Sequence, residues 1–356
     1  MKHCLILIGW LLIFVFRLAA VEPAGYYLSA EGNADSALRM ALFDIIKGHQ
    51  NRGYQSLWAL YRTSDCRNGD TIWDMYSTCT FVYGRDQNHG TMGPVCTNYN
   101  REHSVPQNWF SKAEPMRSDA FHIYPTDAFV NEKRSNYPFG ECNGESWTGV
   151  GAALGKRGVS TLVGYTAVGM VFEPDDAYKG DFARTYFYMA TCYADRCNSW
   201  GHNVFSNAHD GLTDYAVALF MKWHRQDPIS AKEIARNDAV YAYQQNRNPF
   251  IDHPELAEYI WGNHRGIVWT GSTGIDVVQQ PRVTVVPNPV KTSFTIQGND
   301  MEPLQYQIID MSGQIVLQGR AAAGVSIAVD VLCNGVYLLR LTAGSFTEVH
   351  KLIVAK

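Results

Sequence analysis

The 356-residue sequence has no excess of positive charge: 30 Lys and Arg stand against 34 Asp and Glu, and the formal net charge is −4. Proteins that hold nucleic acid usually carry a basic surplus, so this balance argues against tight, charge-driven binding to a polyanion. The acidic surplus is larger in residues 21–274, which contain 22 basic and 28 acidic side chains. Binding of a polyanion would therefore need a local cluster of cations, and its affinity would be modest and sensitive to salt.

The sequence also lacks the short patterns of several enzyme classes. It contains no Gly-x-Ser-x-Gly nucleophile elbow and no His-Glu-x-x-His zinc helix, which argues against hydrolases of those two types. It contains no Cys-x-x-Cys pair, which argues against a zinc ribbon or a thioredoxin-like site. Apolar residues make up 46% and charged residues 18% of the chain, so a disordered or collagen-like protein is excluded as well.

No apolar run reaches the roughly 20 residues that a membrane-spanning helix needs. The run at residues 4–16 follows the basic Lys2 and precedes the small residues Ala19 and Ala20. A basic start, about a dozen apolar residues and a small-residue end are typical of a secretory signal peptide. We therefore expect a signal peptide at residues 1–20 and an exported protein without a membrane span.

Export gives the cysteines an environment in which disulfides form and persist. Seven cysteines remain after the signal peptide, and six of them precede residue 200. Six cysteines can pair in 15 ways, and the close spacing of Cys192 and Cys197 allows a local loop. Cys333 stands alone near the C-terminus and is most simply interpreted as a buried small apolar residue. The six are Cys66, Cys79, Cys96, Cys142, Cys192 and Cys197.

Two regions of the chain differ in composition. From about residue 25 to residue 262, apolar periodicity predicts helices at 36–49, 181–193 and 212–223. Ser230 and Glu233 form a capping box that predicts a helix running towards residue 245. Short β-branched segments such as residues 80–83 lie between these helices. The pattern indicates a helix-rich α+β domain.

After Trp269 the composition changes to a Gly- and Ser-rich linker, and short alternating segments follow. Seven short strands in about 80 residues, separated by Gly, Asn and Pro turns, predict a small β-sandwich. The boundary lies near residue 275. The predicted strands are 283–286, 294–296, 306–309, 315–318, 327–329, 336–341 and 349–354.

Glu102 and His103 are adjacent, and Pro106 follows them. For an isolated Glu-His pair, a surface contact beside a turn is the simpler interpretation. The following segment changes this, because helical spacing places Asn131 and Arg134 on one face of a short helix that ends before Pro138. Oxygen ligands, a base and a cation near one another could bind a hard divalent ion and a phosphate.

These segments resemble the endonuclease I family of secreted and periplasmic bacterial nucleases, whose core is a ββα-metal (His-Me finger) motif. The resemblance covers about residues 25–265 and implies an α+β, helix-rich nuclease domain with a ββα-metal finger. The matching motifs are Glu-His-x-x-Pro at 102–106, Asn-x-x-Arg-Ser-Asn-Tyr-Pro-Phe-Gly at 131–140, Gly-Asp-Phe-Ala-Arg at 180–184 and Asn-Arg-Asn-Pro-Phe-Ile-Asp-His-Pro at 246–254.

The resemblance implies roles for three residues. His103 would be the general base, a role that suits an unperturbed pKa near 6.5. Glu102 and Asn131 would hold one Mg²⁺, with Mn²⁺ or Ca²⁺ as alternatives. The implied reaction is sequence-nonspecific hydrolysis of phosphodiester bonds in DNA, and in RNA as well, leaving 5′-phosphate ends. Neighbouring residues of a regular strand face opposite sides, so Glu102 and His103 can converge only if their strand bends or ends there.

Two arginines each have two interpretations. In the family pattern Arg184 would contact a phosphate, whereas an ion pair with a neighbouring carboxylate is about equally consistent with the sequence. Arg134 shares a helical face with Asn131, so it would act at the site or would fasten the finger helix. Tryptophans could stack on bases, although packing in the core is the simpler interpretation for each of Trp109, Trp147 and Trp200.

The C-terminal strands resemble a type IX secretion C-terminal sorting domain, a small all-β, immunoglobulin-like sandwich. The resemblance rests on residues 285–289, 310–313, 334–338 and 349–354. It implies passage across an outer membrane, followed by removal of the domain or its replacement by a surface anchor. A carbohydrate- or protein-binding module is the alternative. We expect a catalytic domain at 21–272, a linker at 273–280 and a sorting domain at 281–356.

The expected protein is a monomeric nuclease that passes through the periplasm to the extracellular space or cell surface. Its partners would be nucleic acid as substrate and the type IX secretion machinery. The alternative is a catalytically silent surface protein of the same fold that binds nucleic acid or matrix. The joint presence of Glu102, His103 and Asn131 favours the enzyme.

Overall fold

The computed structural model describes residues 22–90, 93–144, 152–271, 284–297, 304–310, 313–322, 324–343 and 346–356. The chain divides into two compact units, residues 1–271 and residues 272–356. The signal peptide expected at 1–20, the linker expected at 273–280 and Trp147 lie outside the described residues.

The first unit is rich in helix, as the apolar periodicity predicts. Helices occupy all four regions where the sequence predicts them, and the Ser230–Glu233 capping box is present at the start of α6. Among the helices of the described residues, none combines the length and apolarity needed to cross a membrane. The helices are α1 Asp35–Ile46, α2 Leu57–Ser64, α3 Ala128–Arg134, α4 Lys179–Cys192, α5 Asp214–Gln226, α6 Ala231–Gln244, α7 Pro249–Asp252 and α8 Leu256–Ile260.

Helix α4 is the centre of this unit, because every one of its 14 residues is buried. Its apolar side chains join a core that includes residues of α1, α5 and α8. Its polar side chains are buried in pairs: Asp181 accepts a hydrogen bond from Lys232 at 2.8 Å, so the first turn of α4 is joined to α6. A helix that is buried on all sides needs such partners for its charged residues.

The strands of the first unit form three two-stranded antiparallel sheets in its described residues. The β-branched segment at residues 80–83 is not a strand, although Val82 makes an isolated bridge to Thr71. Ile72 N–H donates to the backbone oxygen of Phe81 at 2.9 Å, whereas the Val82 N–H donates to the carboxylate of Asp86 at 2.7 Å. The strands are β1 Cys66–Arg67, β2 Thr71–Ile72, β3 Tyr99–His103, β4 Ile123–Asp127, β5 Lys156–Val159 and β6 Met170–Glu173.

Among the six N-terminal cysteines, the structure contains the disulfide Cys79–Cys96. The local loop considered for Cys192 and Cys197 is not formed: both are free thiols, and their sulfur atoms face the backbone oxygens of Ile46 and Ala190. Cys333 is exposed, so its prediction as a buried residue is wrong.

The second unit consists of two antiparallel sheets, which confirms the seven predicted strands. One sheet has the strand order β10-β9-β12-β13 and the other has β11-β8-β7. Alternate residues such as Phe294, Ile296, Leu339 and Leu341 are buried and form the core of the sandwich. The strands are β7 Thr284–Val286, β8 Ser293–Gln297, β9 Leu304–Ile309, β10 Ile315–Ala321, β11 Ser326–Ala328, β12 Gly335–Ala343 and β13 Phe346–Val354.

Candidate active site

Strands β3 and β4 and helix α3 follow the order of a ββα finger. The two strands pair antiparallel, with Glu102 opposite Tyr124, and α3 begins directly after β4. Asp127 caps the helix, since its carboxylate accepts hydrogen bonds from the backbone N–H groups of Phe129 and Val130 at 2.9 and 3.1 Å. The cap fixes the start of α3 and therefore the position of Asn131 within it.

The finger borders a cavity of about 420 Å³. Glu102, His103, Asn131 and Arg134 all line it. Neighbouring residues of a regular strand face opposite sides, so Glu102 and His103 can reach one site only where their strand bends or ends. Strand β3 does end at His103. The structure therefore brings four of the five predicted site residues together.

Glu102 is a buried carboxylate with two partners. It accepts a hydrogen bond from the Tyr76 hydroxyl at 2.8 Å, and its Oε1 lies 3.2 Å from Nη1 of Arg134. Burial raises the pKa of Glu102 to about 7, against the opposing effects of Arg134 and the Tyr76 hydrogen bond. A carboxylate in this setting gains from a nearby cation, because burial penalises its charged form.

Asn131 is oriented by a neighbouring amide. Its Nδ2 donates to Oδ1 of Asn100 at 2.7 Å, so its own carbonyl oxygen is the atom left for another ligand. Gln107, which also lines the cavity, has a buried Oε1 with no hydrogen-bond partner among the described residues. Glu102, Asn131 and Gln107 thus offer oxygen ligand atoms, and this set fits Mg²⁺ or Ca²⁺ better than a softer metal.

His103 is held in one tautomer. Its Nε2 lies 3.0 Å from the backbone oxygen of Arg117, and because a carbonyl only accepts, Nε2 carries the proton and Nδ1 carries the lone pair. The ring also stacks on Tyr54, with centroids 5.4 Å apart and planes at 26°. Burial, with a smaller effect of His122, holds the pKa of His103 well below its usual value. The imidazole is therefore neutral and can accept a proton through Nδ1.

The two terminal nitrogens of Arg134 are engaged inside the protein. Its Nη1 donates to the backbone oxygen of His103 at 3.0 Å, its Nη2 donates to that of Ser104, and it pairs with Glu102. The side chain is 1% exposed. These contacts fasten α3 to the end of β3. Of the two interpretations of Arg134, the structure thus shows the one in which it holds the finger helix in place.

Arg184 does not line the cavity. It is buried on α4, where Nε and Nη2 donate to the two carboxylate oxygens of Glu233 at 2.5 and 2.9 Å. Nη1 donates to the backbone oxygen of Asp227 at 2.9 Å. Of the two interpretations of Arg184, the structure therefore shows the ion pair with a carboxylate. Arg184 does not lie with the other four predicted site residues.

A second group of donor side chains lies apart from the cavity-lining residues. His49, Asp119 and Cys192 place possible ligand atoms within 4.8 Å of one another. His49 turns Nδ1 towards Cys192 and Nε2 towards Asp119, so a single nitrogen does not serve both neighbours. Asp119 already accepts hydrogen bonds from Tyr188 and Tyr193 at 2.8 and 2.7 Å. We interpret this group as an anchor that ties the β3–β4 connection to α4.

The sequence does not reveal several residues that line the cavity. Arg101 and Asn100 precede Glu102 in β3, and this adjacency is the only signal that could have indicated them. Trp58 comes from the start of α2 and Tyr54 from the turn before it, and this segment carries no motif. Among the tryptophans considered for stacking, Trp109 and Trp200 are buried in the core.

Comparison with known proteins now identifies the family. Residues 34–255, more than half of the chain, match Endonuclease I. The chain belongs to the endonuclease I family. Residues 284–355 match the secretion system C-terminal sorting domain. Both resemblances inferred from the sequence are confirmed, and with them the fold class, a nuclease activity and a secreted location.

This endonuclease I family member is similar to curated bacterial nucleases. It is 33% identical to an extracellular ribonuclease of Bacillus amyloliquefaciens over 68% of this chain and 81% of that protein. It is 32% identical to an extracellular ribonuclease of Bacillus subtilis (strain 168) over 66% of this chain and 78% of that protein. An extracellular deoxyribonuclease of Aeromonas hydrophila is 29% identical over 38% of this chain and 50% of that protein.

Proposed function

We propose that this nuclease is a metal-dependent endonuclease that hydrolyses phosphodiester bonds of DNA and RNA without sequence preference. The observation that carries the proposal is the cavity that joins a neutral His103 to the oxygen ligands of Glu102 and Asn131. The names of its relatives, which include ribonucleases and a deoxyribonuclease, support both substrates.

In the proposed mechanism, Nδ1 of His103 takes the proton of the attacking water. The Nε2 hydrogen bond to Arg117 keeps this nitrogen unprotonated, and the stack on Tyr54 keeps the ring in place. Hydrolysis leaves a 5′-phosphate on one product, and the departing 3′ oxygen takes a proton from solvent to become the 3′-hydroxyl of the other. A histidine held neutral by burial is ready to act as a base at neutral pH.

Glu102 and Asn131 would hold the divalent cation. When bound, such an ion stabilises the negative charge that develops on the scissile phosphate and the departing oxygen. We propose Mg²⁺, with Mn²⁺ and Ca²⁺ as the other candidates, because the ligands are hard oxygens. Arg134 would position Glu102 through their ion pair.

We further propose that residues 21–272 act as a monomeric catalytic domain and residues 281–356 as the part that the type IX secretion machinery recognises. The expected route is through the periplasm to the extracellular space or cell surface. The resemblance to a secretion sorting domain supports this assignment.

The test is cleavage of a supercoiled plasmid and of a single-stranded RNA by the protein without its signal peptide. EDTA should abolish both activities, and Mg²⁺, Mn²⁺ or Ca²⁺ should be compared in restoring them. The products should accept label from a kinase only after phosphatase treatment, because their 5′ ends carry phosphate. Cleavage that resists EDTA would contradict the metal dependence. Binding of nucleic acid without cleavage in any of the three metals would favour the catalytically silent alternative.

A further inference from the structure

Arg101 presents a pre-oriented guanidinium group to the cavity. Its guanidinium carbon lies 3.6 Å from the ring centroid of Tyr54 and 4.5 Å from that of Trp58. Its Nη1 donates to the backbone oxygen of Tyr54 at 2.7 Å. Two aromatic rings and one backbone acceptor therefore fix the plane of the group before any ligand arrives, which reduces the entropy lost on binding.

The charge of Arg101 is not neutralised inside the protein. In the described part of the chain its nitrogen atoms form no ion pair. They donate to the Tyr54 backbone oxygen and to Gln55 Oε1, which are both neutral. This distinguishes it from Arg134 and Arg184, whose charges are compensated by buried glutamates. Arg101 alternates with Glu102 along β3 and lies on the same side as His103.

A second uncompensated cation lies beside it. The guanidinium carbon of Arg117 is 4.8 Å from the same Tyr54 centroid, and Arg117 forms no ion pair with a described carboxylate. Arg117 does not line the cavity, so Arg101 is the cation that can contact a ligand there, and Arg117 adds positive charge near the Tyr54 ring. In a domain with an acidic surplus, such a cluster is unusual and points to a polyanionic ligand.

We propose that Arg101 binds a phosphate group of the nucleic acid in this cavity, and that the Arg101–Arg117 cluster supplies the local positive charge that the domain as a whole lacks. The inference rests on the proposed function, because it takes nucleic acid as the ligand. A planar guanidinium can donate two parallel hydrogen bonds to phosphate oxygens.

The experiment compares R101Q, R101K and a control, R52Q. Arg52 also lies over a tyrosine, with its guanidinium carbon 6.0 Å from the Tyr243 centroid and its Nε donating to the Tyr243 backbone oxygen, but it does not line the cavity. Binding of a fluorescein-labelled single-stranded DNA is measured by anisotropy in EDTA over a series of salt concentrations. Cleavage of the same oligonucleotide is measured with Mg²⁺.

R101Q should flatten the slope of log affinity against log salt by about 0.7, the value for one lost phosphate contact on a single strand. It should lower kcat/KM about 10- to 100-fold, as expected for a lost charged hydrogen bond. R52Q should change neither quantity. R101K should keep the slope and lose part of kcat/KM, because an ammonium group cannot make the paired contact. Equal salt slopes and equal kcat/KM for R101Q and R52Q would overturn the proposal.

The two proposals can fail separately. If the wild-type protein cleaves but R101Q matches R52Q, the phosphate site is wrong and the nuclease mechanism stands. If the wild-type protein binds without cleaving and R101Q alone has a flatter slope of log affinity against log salt, the phosphate site stands and the proposed activity does not. If R101Q melts well below the wild type, R101K decides: a loss of kcat/KM at unchanged melting temperature supports the phosphate site, and an unchanged kcat/KM overturns it.

Discussion

Nη1 of Arg134 lies 3.2 Å from Oε1 of Glu102, and both side chains are almost completely buried. The pair joins α3, which carries the proposed metal ligand Asn131, to β3, which carries the other ligand. Removing one member of a buried pair leaves an uncompensated charge and costs about 3–5 kcal/mol. The stability of the domain and the geometry of the site therefore depend on the same contact.

Replacing Arg134 with Met should lower the free energy of unfolding by about 3–5 kcal/mol and should reduce cleavage per folded molecule as well. The control is Lys133→Met, which removes the same charge from the same helix where the ammonium lies over the Phe129 ring. Its effect on stability should stay within about 0.5 kcal/mol. Urea denaturation and plasmid cleavage measure the two effects. Similar unfolding free energies for both variants would contradict the role given to Arg134.

Replacing Arg184 with Met should affect stability and leave the salt dependence of DNA binding unchanged. Its guanidinium is committed to Glu233 inside the protein, so the loss is that of a buried pair, again about 3–5 kcal/mol. The double variant Arg184→Met with Glu233→Gln should be more stable than the single variant, because no charge is left unpaired and glutamine can still accept the Ser230 hydrogen bond of the capping box. A flatter salt slope with normal stability would restore the interpretation of Arg184 as a phosphate contact.

Replacing His103 with Ala should lower plasmid cleavage by about 10²–10⁴-fold, the loss typical of a general base. Binding of DNA in EDTA should persist, because the imidazole supplies no positive charge when it is neutral. The matched control is His209→Ala, since His209 is half-exposed and pairs with Asp214 outside the cavity. Near-normal cleavage by the His103 variant would remove this residue from the mechanism.

His224 should make the folded protein sensitive to acid. Burial, together with the nearby charge of Arg184, lowers the pKa of His224 to about 4, whereas in the unfolded chain it takes its ordinary value near 6.5. Between these pH values the unfolded state binds more protons, so stability falls as the pH drops through this window, by about 3 kcal/mol at pH 4.

The measurement is the difference in unfolding free energy between the wild type and His224→Gln from pH 7.5 to pH 4. A difference is needed because other groups act in the opposite direction: burial raises the pKa of Glu102 and of Asp74 to about 7. As the pH falls below 6.5, the unfolding free energy of the wild type should decrease relative to that of the variant. A constant difference over the whole range would show that His224 does not titrate in this way.

Mass spectrometry of the protein exported by its native host should show loss of the signal peptide and of the C-terminal sandwich. The expectation follows from the match of residues 284–355 to a secretion sorting domain. Exported protein that still extends to Lys356 would count against the sorting role. The same sample, assayed on plasmid, tests whether residues 21–272 suffice for cleavage.

The sequence predicts most of the finger because its signals are local. Glu102, His103 and Asn131 lie in two short motifs, and Pro138 marks where the helix must end. The Ser230–Glu233 capping box is likewise a pattern of four residues, and it locates the start of α6. In the second unit the alternation of apolar residues follows the strand period of two, which is why seven strands could be counted.

The remaining features depend on contacts between distant residues, which one sequence does not encode visibly. The partner of Arg184 is 49 residues away, so the sequence cannot separate an ion pair from a phosphate contact. The Cys79–Cys96 disulfide is one of the 15 single pairs that six cysteines allow. Tyr54 and Trp58 reach the cavity because the turn before α2 and the start of α2 pack against β3, and neither residue belongs to a motif.

The burial of cations affects the rate at which the protein associates with its substrate. Six buried basic side chains of the first unit are held in internal ion pairs and do not face the substrate. Residues 21–274 carry 22 basic and 28 acidic side chains, so a distant polyanion is repelled and attraction begins only near the cavity. Raising the ionic strength should first accelerate association by screening this repulsion and then shorten the lifetime of the complex. The fastest turnover is thus expected at intermediate salt. The six are Arg134, Lys179, Arg184, Lys232, Arg236 and Arg247.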